Sequence, residues 1–182
     1  MIRKVLVSSC LLGRNVRYDG SYKLAEHPVL DRWQSEGRIV SICPELTVGF
    51  PTPRPSAELT TGSGEDVLRG KGSVLEQTGR DVTSLYIDGA AAALELALSH
   101  GCKYAVLTDG SPSCGSSFVY DGSFQGNTIS GNGVTASFLK QAGIAVFSQK
   151  QIEELDLILR ENEAQERADD TFSGSPDLEV RA

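Results

Sequence analysis

An α/β fold, with a doubly wound, mainly parallel sheet, helices on both faces and an irregular Pro/Gly-rich insertion, is predicted by three observations. Short apolar runs alternate with longer stretches of helical period, and the helical stretches close on Gly37, Gly101 and Gly143. The first three apolar runs each lead into a loop that holds a cysteine, at Cys10, Cys43 and Cys114. One domain over residues 1–167 accommodates the pattern, since 182 residues with 40% hydrophobic content bury a core without staples.

The run Lys4-Val-Leu-Val-Ser8 reads as a buried first strand. From Pro28 to Glu36, Val29, Leu30 and Trp33 recur at helical spacing, with Pro28 suited to the first helical position and Gly37 to the stop. Arg38-Ile-Val-Ser-Ile42 is a second strand, completing a β-α-β unit. An insertion over about residues 50–81, rich in Pro, Gly and Thr, carries β-like runs at Ala57–Thr61 and Ser73–Thr78 and is expected to form a small meander. Ser84 to His100 is an Ala- and Leu-rich helix, and Tyr104-Ala-Val-Leu-Thr108 is the third strand. Val134 to Ala142 forms a helix and Ile144-Ala-Val-Phe147 a strand, after which Ser148 and Gln151 have capping-box spacing for a last helix to about Glu166. Residues 168–182, weakly apolar, are expected to be a mobile acidic tail.

A net charge of −7 and a pI near 4.9 disfavour a polyanionic partner, so no nucleic acid is expected and a small, weakly charged ligand fits better. The apolar stretch Val5 to Val7 is far shorter than a signal h-region or a membrane span, so a cytoplasmic protein without membrane attachment is expected. In a reducing compartment, four cysteines are free, metal-bound or catalytic rather than disulfide-linked. Nothing in the sequence states the oligomeric state.

Open parallel sheets bind ligands at the carboxyl ends of their strands, which is where Cys10, Cys43 and Cys114 fall. Gly13, Pro44, Pro112 and Gly115 allow tight, backbone-rich loops around them. Three thiolates suit zinc or an iron–sulfur cluster. Structural zinc normally takes four ligands with short paired spacing, and no Cys-x-x-Cys pair exists here, whereas a cubane on three thiolates leaves one iron open to a substrate atom. Cys102 precedes the third strand, which at roughly 3.3 Å per residue removes it from Cys114 by about 15 Å, so it reads as a small buried hydrophobe.

The motifs Val7-Ser-Ser-Cys-Leu-Leu-Gly13, Val16-Arg-Tyr-Asp-Gly20, Cys43-Pro-Glu45, Pro51-Thr-Pro-Arg-Pro55, Asp81-Val-Thr83, Ser111-Pro-Ser-Cys-Gly115 and Tyr120-Asp-Gly-Ser-Phe124 occur in order between about Lys4 and Phe147. Together they resemble the thiouracil desulfurase family. The resemblance implies a [4Fe–4S] cluster on three cysteines, here matched by Cys10, Cys43 and Cys114. It also implies non-redox, ATP-independent conversion of a thiolated pyrimidine such as 2-thiouracil to uracil and sulfide, hence a small thiolated base or nucleoside as partner. Many relatives have a further cysteine where this chain has Val16, so position 16 is not an obligate ligand.

Glu45, two residues beyond a ligand cysteine, is the expected acid/base, and Ser111 and Ser113 flank Cys114 as candidates to hold water or the pyrimidine edge. Arg17, Tyr18 and Asp19 line the substrate pocket or form a turn closed by Gly20. Arg54 and Glu58 are expected to form a loop-fixing ion pair or to contact the ligand, and neither His27 nor His100 is assigned a catalytic part. Arg69-Gly-Lys-Gly-Ser73 lacks the phosphate-loop pattern. Two rival readings remain: a redox or cluster-sensing protein without turnover, and a zinc-stabilised module that binds a small ligand unchanged.

Overall fold

The computed structural model describes residues 2–173, with side chains to residue 169. In chain order the elements begin with β1 (Val5–Ser8), a 3-10 turn over Ser9–Leu12, α1 (Pro28–Ser35), β2 (Ile39–Ile42) and the single turn α2 (Pro44–Thr47). β3 (Ala57–Leu59), α3 (Gly64–Leu68), β4 (Val74–Glu76), α4 (Thr83–Ser99) and β5 (Tyr104–Leu107) follow. The chain continues through β6 (Phe118–Tyr120), β7 (Thr128–Ser130), α5 (Val134–Gln141), β8 (Ala145–Ser148) and α6 (Ile152–Ser173).

Four of these strands form one parallel sheet in the order β2-β1-β5-β8, with Val5 opposite both Ile39 and Tyr104, and Tyr104 opposite Ala145. Successive strand side chains point to opposite faces. Val5, Val7 and Val106 therefore pack with Leu30 and Trp33 of α1 and with Leu155 and Leu159 of α6. Leu6, Ala105 and Leu107 pack on the other face with Ala93 and Ala97 of α4 and with Leu139 of α5. This is the doubly wound arrangement that the alternation predicts. No helix among the described residues is long and apolar enough to cross a membrane.

Local signals account for the element ends. Pro28 opens α1 while His27 Nδ1 accepts the Val29 N–H at 3.2 Å, and Gly37 follows at a φ of 65°. Ser148 and Gln151 make the reciprocal capping box at the start of the last helical segment. That segment runs to Ser173, beyond the expected end near Glu166, so residues 168–173 continue the helix; residues 174–182 of the expected tail lie outside the described residues. The insertion contains the expected antiparallel pair, β3 with β4, with Ala57 opposite Glu76.

Trp33, fully buried, donates Nε1–H to Asp156 Oδ1 at 2.9 Å, and Asp156 also pairs with Arg32 and with Arg160 Nε at 2.8 Å. Burial would raise the Asp156 carboxyl, but the bonds from Arg32 and Trp33 outweigh it and hold the group below its ordinary 3.8. A depressed folded value stabilises the protein above pH 3.8 and is lost as pH falls through the folded value. Asp156→Asn is therefore expected to cost about 1–3 kcal/mol at neutral pH, and the deficit should narrow on acidification below about pH 4 in urea melts. A deficit independent of pH would show that the charge is not what is lost.

Candidate functional site

At the carboxyl ends of β1, β2 and β5 lies a cavity of about 300 Å³ whose wall includes Cys10, Cys43 and Cys114. Each thiol is placed by its own strand end. Cys10 sits in the 3-10 turn that Gly13 ends at a φ of 78°. Cys43 is the residue before α2, where Pro44 takes the first helical position, and α2 rests on α4 at Gly89. A Cβ there would meet the Pro44 carbonyl oxygen at 2.8 Å, so only glycine permits the approach. The loop of Cys114 is folded around Ser111, whose Oγ accepts the N–H groups of Ser113 at 3.1 Å and Cys114 at 3.0 Å. It is docked on α5, whose first amides donate to loop carbonyls: Val134 N to Pro112 O at 2.8 Å and Thr135 N to Ser113 O at 2.9 Å.

All four cysteines are free. Burial pushes the Cys10, Cys43 and Cys114 thiols up; at Cys114 the neighbouring Cys10 and Cys43 act in the same direction, against a hydrogen bond from Ser8. At Cys10 a 2.8 Å bond to Thr108 Oγ1 and the positive charge of Arg17 oppose the burial. Cys102 is 3% exposed within the core shared with α4 and α5, and burial pushes its thiol up to about 11.

Glu45 lines the same cavity and pairs with Arg54, whose Nε and Nη2 both reach Glu45 Oε2, the former at 2.8 Å. Oε1 is left outside the ion pair. Both partners are nearly buried, with side chains 11% and 4% exposed. Arg54 Nη1 donates to the Val16 carbonyl at 3.2 Å, and that same carbonyl stands 3.9 Å from Cys43 Sγ. Position 16 thus contributes to the site through its backbone carbonyl. Tyr86 stacks edge-on against Phe50 and faces Glu45; burial, then the Glu45 charge, pushes its phenol well above the usual range.

Arg17, Tyr18 and Ser111 also lie on the cavity wall, whereas Asp19 and Ser113 do not. Asp19 instead closes a turn, accepting the Ser21 N–H at 2.9 Å, and Ser113 is buried at 1% exposure with its hydroxyl 2.8 Å from that of Thr135. The expected Arg54–Glu58 pair does not form: with Arg54 committed to Glu45, Glu58 Oε2 accepts the N–H groups of Gly122 at 2.9 Å and Phe124 at 3.0 Å. Wall residues that sequence reasoning passed over are Thr108, Asp109, Tyr86, Tyr120 and Phe124. Thr108 and Asp109 carried the signal that found the cysteines, since they follow β5 directly. Asp109 shapes the loop toward β6, its Oδ1 accepting the Ser116 and Ser117 N–H groups, each at 2.9 Å.

The donor set, three free thiols, is of the kind that soft metal centres take. Among the described residues no three His, Cys, Asp or Glu side chains are gathered into a ready-made metal site, although the three thiols line one cavity. A cluster presents separate irons to separate thiolates, and Cys10, Cys43 and Cys114 face one cavity from three strand ends. Buried thiols that resist ionisation on their own become thiolates when a cationic metal centre takes the negative charge.

Comparison with known proteins agrees with this chemistry. The chain is 45% identical over 151 residues to the uncharacterized protein YbbK of Bacillus subtilis (strain 168), a match covering 83% of this chain and 99% of that one. It superposes on the solved structure of the [4Fe–4S]-dependent thiouracil desulfidase TudS with a TM-score of 0.79 at 44% identity, covering 87% of this chain and 98% of that one. Residues 5–151 match the model of the 2-thiouracil desulfurase family. The chain belongs to the 2-thiouracil desulfurase family.

Proposed function

We propose that this chain converts a thiolated pyrimidine such as 2-thiouracil to uracil by hydrolysis, water supplying the oxygen and sulfide leaving, with no net redox change and no ATP. As a member of its family it is an enzyme that cleaves C–S bonds. Supporting the finer reading is one observation: three free thiols from three strand ends share a cavity wall with the carboxylate of Glu45. Cys10, Cys43 and Cys114 would hold a [4Fe–4S] cluster, which with three protein ligands supplies an open Lewis-acidic iron toward the substrate sulfur.

The protein's own groups supply the rest. Glu45, its Oε2 engaged by Arg54, offers Oε1 as the base that takes a proton from the attacking water. Ser111 uses its oxygen to accept two backbone amides, so its hydroxyl proton is the part it can direct into the cavity. Arg17 and Tyr18 also line the pocket. Four reduced cysteines and a net charge of −7 suit a cytoplasmic enzyme acting on a free base or nucleoside.

Anaerobic reconstitution with iron and sulfide, followed by incubation with 2-thiouracil alone, is expected to yield uracil and sulfide in equal amounts. A cluster-loaded protein that releases none would point to a redox or sensing protein, and stoichiometric zinc without iron after anaerobic purification would point to a binding module.

A further inference from the structure

Phe124 is the one described non-glycine residue in the left-handed region, at a φ of 55°. A side chain there costs energy that glycine would not, and such outliers persist where the surroundings enforce them for use. The loop does have glycine where no side chain fits: Gly122 has a φ of 88°, and a Cβ on it would meet the Leu59 carbonyl oxygen at 2.5 Å. At 124 the chain keeps a phenylalanine instead.

Its conformation is enforced by Glu58, 8% exposed on β3, whose Oε2 binds both the Gly122 and the Phe124 N–H. Asp121 adds a bond from its N–H to the Asn127 carbonyl at 3.1 Å and accepts the Ser123 N–H at 2.9 Å. Glu58 and Phe124 both lie on the wall of the cavity that holds the three cysteines. The other aromatic wall residues are less suited to serve as an apolar surface. Tyr18 and Tyr120 are 43% and 36% exposed, and buried Tyr86 faces Glu45.

We propose that Phe124 is the specificity-determining plate of the site, a ring held by the Glu58 clamp against which the flat face of the substrate ring stacks. The identity of that ring rests on the desulfurase reading above; the stacking does not, because binding measures it without turnover. Aromatic side chains take nucleobases by their π-faces, and saturation of the base removes that face while leaving its polar edge intact.

The test compares the reconstituted wild-type protein with Phe124→Trp, Phe124→Leu and Phe124→Gly, the last of which relieves the backbone and so keeps folding out of question. Calorimetry gives the Kd of uracil and of 5,6-dihydrouracil, and steady-state kinetics give KM and kcat for 2-thiouracil. Phe124→Gly is expected to raise the uracil Kd and the KM by roughly 10–100-fold, with kcat changed far less, and to erase the preference for uracil over dihydrouracil. Phe124→Trp should keep both, and Phe124→Leu should fall toward the glycine variant. A glycine variant that binds uracil as the wild type does, or a leucine variant equal to tryptophan, overturns the proposal. If the wild type binds uracil through Phe124 yet releases no sulfide from 2-thiouracil, the desulfurase reading falls and the plate stands. If it binds neither uracil nor 2-thiouracil, both fall.

Discussion

Replacing Cys114 with serine is expected to leave a folded chain that holds no cluster and releases no sulfide from 2-thiouracil. The exchange is nearly isosteric, and the bonds that shape the loop come from backbone atoms of residues 112–114 and from Ser111 Oγ, none of which the substitution touches. A hydroxyl in place of a thiol 7% exposed should cost stability of the order of 1 kcal/mol, small beside the total. Soft thiolate is what iron–sulfur centres select, and neutral serine is a poor substitute. Iron and acid-labile sulfide per chain, read beside a thermal melt, separate cluster loss from unfolding. Retained turnover would remove Cys114 from the ligand set.

Glu45→Gln should do the opposite: iron and sulfide contents close to wild type, with turnover lower by about 10²–10⁴-fold, the usual worth of a positioned general base. The glutamine can still accept from Arg54 and keeps the side-chain length, so the site's shape survives. What it loses is the ability to take a proton. Single-turnover measurement with excess cluster-loaded protein reports this step free of product release. Full activity in the variant would mean that another group, or bulk water, moves the proton.

Much of this architecture is legible in the chain. Glycine stops at 37, 101 and 143 take positive φ, as a left-handed helix end requires, and the Ser148–Gln151 capping box forms as spaced. The three cysteines share one cavity because strand order, not sequence distance, decides what stands at a sheet's edge. What escaped reading is short or depends on competition. β6 and β7 have three residues each, too few for a period to show, and β7 is exposed throughout. Arg54 faced two carboxylates, at 45 and 58, and only the folded backbone settles the choice by bringing two amides to Glu58. Ser113, adjacent to Cys114, is turned inward to Thr135, while its neighbour Ser111 shapes the loop.

The strand order also governs when the site comes into being during synthesis. β1 pairs on one side with β2, which follows it closely, and on the other with β5, which lies roughly a hundred residues downstream. Cys10 and Cys43 can therefore face each other early, but Cys114 joins them only after β5 has docked and α5 has emerged to hold the loop by its first amides. A nascent chain released before that point has Cys10 and Cys43 at their strand ends and no third thiol in place beside them. The three-cysteine wall is thus a property of the finished domain, and a truncation before α5 would leave the Cys114 loop without the amides that hold it.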